Sequence, residues 1–358
     1  MDPVSVPQRP PARKPDTSNR EQWPEPVPVT CLKSDTHGTD WLWAGCLARR
    51  HLTLFSALSK SGKSTVLAHL LKAVQCGSPF FGRGTRKCRT LVVSEESREK
   101  WIERRESLEL DESLSLLCRP TRAKLSPREW EGFIEHLLRL SVGAFDVIVF
   151  DTISCFAPWR DENASAEVEA AVRPLNRLLE EADAAVMLVH HFGKAGGSEG
   201  RAARGSTALT AAADILLELR RLNPKDTSDR RRLLSGYGRF DEIPEQVVVA
   251  LAPDGSGYLA EGDRVEVAGR ELRALISETL PASPPGCTAD ELHVKMAPNT
   301  RPRRGDVMKA LQAGANSGAW SRAGTGKKGD PFRFWMGERD SDQPFHCVPG
   351  TRNAIGVS

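Results

Sequence analysis

Through the first two thirds of the chain, short fully apolar runs alternate with segments whose apolar residues recur at helical spacing. Runs begin at Leu52, Thr90, Leu114, Phe145 and Ala185, and most carry apolar residues at successive positions. A strand that is apolar on both faces is buried on both, which is the habit of parallel strands covered by helices. Between the runs, Val66, Leu67, Leu70, Leu71 and Val74 stripe one helix. Trp130, Phe133, Ile134, Leu137 and Leu138 stripe another, which Pro127 opens. Further helices are predicted over 98–110, 166–181 and 206–213. The alternation predicts an α/β fold, a mostly parallel sheet covered by helices. A strand over 214–219 and shorter ones near 232–235, 246–251 and 257–260 are predicted to extend one edge antiparallel.

The character changes around 261–269. Leu272, Leu275, Ile276 and Leu280 mark a helix that Pro281, Pro284, Pro285 and Gly286 end. Thr288 and Glu291 form a capping box for a second helix. Val307, Met308 and Leu311 stripe a third, starting near Arg303. Two strands over 320–322 and 332–335, joined by a Gly-rich turn, complete a small α+β winged helix. The first 35 residues carry eight prolines among polar residues, too little apolar surface to fold, and are predicted to be a disordered leader. That leader is a plain tail or a recruitment peptide. Trp41 and Trp43 mark the start of the folded part, either as packing or as a platform for a base. The expected domains are residues 1–38 (leader), 39–262 (core), 268–337 (winged helix) and 338–358 (disordered tail).

Charge adds one thing to this picture. The 358 residues carry a net charge of only +3, so any basic footprint is local. Between Lys295 and Arg333 nine basic residues face two acidic ones. Arg303 and Arg304 at the third helix, with Lys327 and Lys328 in the turn, suit duplex DNA, with the helix in the groove and the wing on the phosphates. A solvated basic face or a protein-contact module has the same composition. Eight scattered cysteines without a C-x-x-C pair fit a reducing cytoplasm, not a zinc site or a disulfide framework. No apolar run is long enough to span a membrane. A soluble cytoplasmic protein is expected.

Candidate chemistry centres on the stretch that runs from Leu52 through Ala57, Lys60, Ser61, Gly62, Lys63, Ser64 and Thr65. A strand that feeds a helix through Gly-Lys-Ser is a phosphate-binding P-loop, with backbone N–H groups and the helix dipole facing the phosphates. Lys63 is placed to reach the β- and γ-phosphates of ATP, and the Ser64 hydroxyl to hold Mg²⁺. The full pattern has Gly where this chain has Ala57, so the turn requires that position 57 not adopt positive φ. The run at 145–151 ends on Asp151, a carboxylate delivered to the C-terminal edge of a buried strand, where it can serve the Mg²⁺ shell.

The order of these features is similar to that of the RecA-like P-loop ATPases. They comprise a P-loop strand, a strand that ends on Glu95-Glu96, the strand to Asp151, and a strand that ends on His190-His191 before a Gly-rich basic loop with Arg204-Gly205-Ser206. The resemblance is strongest to RepA-type hexameric replicative helicases and their AAA-family relatives, and it spans about residues 40–262. It implies ATP hydrolysis, with the strand-end Glu polarising water (Glu95, with Glu96 as the adjacent alternative). It also implies that His191 senses the γ-phosphate and that Arg204 reaches the nucleotide of the next subunit. Lys194 and Arg201 of the basic loop would contact single-stranded DNA in the central channel of a homo-hexamer. The competing expectation is a DNA-binding scaffold, recombination factor or transcriptional regulator that ATP switches without unwinding.

Overall fold

The computed structural model describes residues 26–31, 38–58, 61–191, 207–224, 226, 228–298 and 301–337. The chain divides into residues 1–40 and residues 41–358. In the first unit the described residues hold one 3₁₀ turn, Val29–Cys31. Residues 1–25 and 32–37 of the expected leader fall outside the described residues, as does the expected tail after Gly337.

The second unit opens with a two-stranded antiparallel ribbon, β1 (Trp41–Trp43) and β2 (Leu47–Ala48). Trp43 is 1% exposed, its indole N–H donates to the Phe80 carbonyl at 3.1 Å, and its ring meets Phe80 and Phe81. Trp41 stands edge-on to Phe240. Both aromatics are packing, not a base platform. The chain continues through β3 (Leu52–Ala57), α1 (Lys63–Cys76), β4 (Thr90–Ser94), α2 (Arg98–Leu108), β5 (Leu114–Cys118), α3 (Pro127–Ser141) and β6 (Val147–Asp151). Then come α4 (Ile153–Phe156), α5 (Ser165–Val172), α6 (Asn176–Glu180), β7 (Ala185–His191), α7 (Thr207–Ala212) and β8 (Ile215–Arg221). Three more strands follow, β9 (Arg231–Gly238), β10 (Gln246–Leu251) and β11 (Tyr258–Asp263).

Nine of these strands form one sheet in the order β11-β10-β9-β8-β3-β7-β6-β4-β5. The six from β8 to β5 are parallel, and β9, β10 and β11 extend the β8 side antiparallel. The doubly apolar runs explain the layering. Along β6, Val147 and Val149 enter one core cluster while Ile148 and Phe150 enter the other. Helix α1 covers the first face with Val66, Leu67, Leu70, Leu71 and Val74, and α3 covers the second with Trp130, Ile134, Leu137 and Leu138. Each such side chain contributes about 1.5–3 kcal/mol by leaving water. The Ser126–Glu129 capping box and Pro127 fix the start of α3. The single helix expected over 166–181 is instead α5 and α6 separated by a 3₁₀ turn, Arg173–Leu175. Pro174 sits in that turn and has no N–H for the helical ladder.

No linker follows β11. Asp263 ends the strand and caps α8 (Arg264–Thr279) by accepting the Val265 N–H at 2.7 Å. The first half of α8 packs Val267 against Leu233 and Val248 of the sheet, and its second half carries Ile276 into a separate cluster. That cluster joins α9 (Ala289–Lys295), α10 (Arg304–Asn316) and a two-stranded hairpin, β12 (Ser321–Ala323) and β13 (Arg333–Trp335). Its centre is Leu292, Val307, Leu311, Trp320 and Phe334. Trp320 lies so close to α10 that a Cβ on Gly314 would fall 2.0 Å from its ring, which reserves that position for glycine.

Candidate functional site

The C-terminal edge of the parallel strands brings the sequence-predicted residues to one place. Ala57 is the last residue of β3, fully buried, and pairs with His191 of β7 on one side and Leu219 of β8 on the other. Its φ is not positive, so alanine is tolerated where the motif has glycine. The left-handed conformation falls instead on Gly62, with φ 94° at the N-cap of α1. A Cβ there would meet nothing nearer than 3.8 Å, so backbone conformation and not space calls for glycine. The Ser61 N–H and hydroxyl both bond back to the Leu58 carbonyl, at 3.2 and 2.7 Å. Lys63, Ser64 and Thr65 form the first turn of α1, while Lys60 lies outside the described residues.

Lys63 is 5% exposed, and its Nζ stands 3.3 Å from both ring nitrogens of His191. Burial lowers its pKa, while the charges of Asp151 and Glu95 oppose that shift. Burial and the Lys63 charge together lower the pKa of His191, so the imidazole is neutral at pH 7 and can accept from the ammonium. The neighbouring His190 is turned the other way and bonds Glu162 at 3.0 Å. Asp151 ends β6 and is 2% exposed. Burial pushes its pKa up to about 6 against the pull of Lys63, with Glu96 and Glu95 adding to the rise. The following Asp151–Thr152 peptide is cis.

The two adjacent glutamates at the end of β4 part company. The Glu96 carboxylate is paired with Arg104 of α2, whose guanidinium lies over the Trp101 ring. The Glu95 carboxylate accepts from the Thr152 hydroxyl at 3.4 Å and from the Cys155 thiol. Its backbone N–H donates to the Asp151 carbonyl at 2.8 Å, and Arg119 Nε donates to its carbonyl at 3.1 Å. Burial and the Glu95 hydrogen bond keep the Cys155 thiol protonated. Glu95 and Cys155 line a cleft of about 450 Å³ with Arg119, Arg122 and Lys124.

Ser64 and Asp151 present hard oxygen donors, the set Mg²⁺ prefers, and a carboxylate whose charge burial disfavours is compensated when a cation arrives. The residues present therefore fit Mg²⁺. Among the described residues no group of three His, Cys, Asp or Glu offers another metal site.

Arg232 of β9, which the sequence does not single out, donates Nε–H to the Ser61 carbonyl at 2.7 Å. It lies 171 residues beyond its partner, and no motif marks it. Thr152 and Cys155 are also new to the site. Their position just after Asp151 is the signal that points to them. Lys194, Arg201 and Arg204 lie outside the described residues. Arg303, Arg304, Lys327 and Lys328 are exposed and distant in the chain from the P-loop, and Arg304 is paired with Asp290. Among the described residues no helix is long and apolar enough to cross a membrane.

One strand, β7, intervenes between the P-loop strand β3 and the strand β6 that ends on Asp151, and the glutamates directly follow β4, which lies beyond β6. That order and that site define a RecA-like P-loop ATPase domain. The sequence matches the model of the AAA domain family over residues 15–197, and the chain belongs to that family. Solved structures similar to this chain include an ATPase domain, at 13% identity over 59% of this chain and 85% of that one, with a TM-score of 0.44. The RadB recombinase is 17% identical over 59% and 91% of the two chains, with a TM-score of 0.42. The flagellar accessory protein FlaH from Methanocaldococcus jannaschii is 14% identical over 60% and 90%, with a TM-score of 0.41. Among curated proteins no sequence matches the chain.

Proposed function

We propose that this protein binds and hydrolyses ATP at the P-loop and uses the energy to act on DNA as a helicase or translocase. The observation that carries the reading is the convergence of Lys63, Asp151, Glu95 and His191 at the ends of adjacent parallel strands. Phosphoryl transfer to water needs positioning and charge neutralisation more than covalent chemistry. Lys63 neutralises the β- and γ-phosphates; on nucleotide binding its ammonium exchanges the imidazole for phosphate oxygens. His191, released from Lys63, faces the same γ-phosphate and reports its presence. Glu95 orients the attacking water and takes its proton, helped by the Thr152 hydroxyl that fixes the carboxylate. Ser64 and Asp151 would hold Mg²⁺, which would supply positive charge to offset that of the phosphates. The pairing of Glu96 with Arg104 supports Glu95 over Glu96 as the residue that orients water.

Arg204 is assigned to the nucleotide of a neighbouring subunit in a homo-hexameric ring, and Lys194 and Arg201 to single-stranded DNA in its channel. The three helices and hairpin at 264–337 act as a winged helix on duplex DNA. Exposed Arg303, Lys327 and Lys328 contact phosphates, and the pairing of Arg304 with Asp290 makes it the weakest contributor. The protein is taken as cytoplasmic. ATP turnover with and without single-stranded DNA, for the parent and for Glu95→Gln, tests the reading. The expected result is DNA-stimulated turnover that Glu95→Gln lowers by about 10²-fold, the scale of general-base loss, while ATP still binds. Turnover that DNA leaves unchanged, with ATP altering only DNA affinity or assembly, would support a switched scaffold instead.

A further inference from the structure

Strand β9 begins with two consecutive arginines, which point to opposite faces of the sheet. Arg231 turns to the helical module, pairing with Asp229 at 3.0 Å and with Glu271 of α8. Arg232 turns to the P-loop and donates Nε–H to the Ser61 carbonyl at 2.7 Å. Its Nη1 donates to the main-chain carbonyls of Arg231, at 2.8 Å, and Asp229, at 3.3 Å. The guanidinium is thus held at one end by its own strand and presents the other to the loop. The Ser61 carbonyl belongs to the same planar peptide as the Gly62 N–H, and in a trans peptide the two point in opposite directions. A cation on the carbonyl side turns that N–H away from β9 and polarises it as a donor. Gly62 is the N-cap of α1, so this donor opens the helix end that receives phosphate.

We propose that Arg232 is a positioning residue of the phosphate loop, holding the Ser61–Gly62 peptide so that its N–H meets the phosphates of a bound nucleoside di- or triphosphate. This rests on the P-loop being the nucleotide site. The contact joins the antiparallel edge of the sheet to the loop. The P-loop motif itself says nothing of this residue.

Titration calorimetry with ADP as the probe, on the full chain, tests it with Arg232→Ala, Arg232→Lys and Lys63→Ala. Arg232→Ala raises the ADP Kd about tenfold, in keeping with the loss of one charge-assisted hydrogen bond. Arg232→Lys, which keeps a single donor, raises it about threefold. Lys63→Ala weakens ADP binding at least tenfold. Melting of the ADP-free protein stays within a few degrees of the parent in the Arg232 variants, and in steady state their loss falls on KM with kcat little changed. A merely structural role would move the melting point and spare that split. If Arg232→Ala does not fold, Arg232→Lys decides: a threefold loss supports the role and parent affinity overturns it. An ADP Kd within twofold of the parent for Arg232→Ala, with Lys63→Ala impaired, overturns the Arg232 assignment alone. Parent-like ADP binding by Lys63→Ala overturns the nucleotide site, and with it the role given to Arg232.

Discussion

Replacing Asp151 with asparagine is expected to stabilise the nucleotide-free protein while abolishing the Mg²⁺-dependent turnover proposed above. Asp151 is 2% exposed, and burial raises its pKa from an ordinary 3.8 to about 6 even with Lys63 alongside. The folded state therefore binds this proton more tightly than the unfolded one. Stability from this group is fully present below the unfolded pKa and is lost as pH rises through the folded value. At pH 8 the ionised carboxylate costs about 2–3 kcal/mol, from a shift of roughly two pH units at about 1.4 kcal/mol each. The amide introduced by Asp151→Asn has no charge to desolvate. Urea denaturation of the nucleotide-free protein should give a gain of about 1–3 kcal/mol at pH 8, shrinking between pH 6 and 4 and vanishing below. The same pKa predicts that Mg²⁺-dependent nucleotide affinity of the parent falls as pH drops through about 6, where the carboxylate becomes protonated. If Asp151→Asn is destabilising at pH 8 by more than 1 kcal/mol, the ionised carboxylate is not a net cost to the folded state. The Lys63 interaction would then outweigh its desolvation.

Further outcomes separate the remaining assignments. Glu96→Gln should cost about 1–2 kcal/mol of stability by weakening the Arg104 pair, with turnover within a few-fold of the parent; a 10²-fold loss of kcat in this variant and not in Glu95→Gln reverses the two glutamates. Arg204→Ala subunits should bind ATP without hydrolysing it, and mixing them with Lys63→Ala subunits should restore some turnover, because only a mixed interface joins an intact P-loop to an intact arginine. A mixture that co-assembles and stays inactive removes Arg204 from that role. Alanine at Arg303, Lys327 and Lys328 together should lower the slope of log affinity for duplex DNA against log salt by about 2–3, near 0.9 for each phosphate contact. An unchanged slope places the duplex contact elsewhere or nowhere on this module.

Much of the core was legible because its physics is local. Runs such as 147–151 are apolar at every step but the last, so they read as buried strands that deliver a carboxylate to an edge. Gly-Lys-Ser after a strand located the phosphate loop, and register then set His191 beside Ala57. What the sequence left open depended on partners distant in the chain. Glu95 and Glu96 are equivalent as letters, and only α2, carrying Arg104 back over Trp101, separates them. Arg232 reads as one of three consecutive arginines, and its meaning lies in the Ser61 carbonyl. Two features differ from the expectation although their signals are present in the sequence. Pro174 breaks the helix expected over 166–181. Asp263 caps α8 directly from β11, so the helix that Leu272, Leu275, Ile276 and Leu280 mark begins earlier, at Arg264.

Every role proposed for the site requires Lys63 to serve phosphate transfer and not packing. Steady-state ATP hydrolysis by purified Lys63→Ala, alongside a denaturation curve, tests it most directly. The expected result is a folded protein, with its unfolding transition close to the parent's, whose turnover is indistinguishable from background with or without single-stranded DNA. A folded variant that hydrolyses ATP at the parent rate would contradict it.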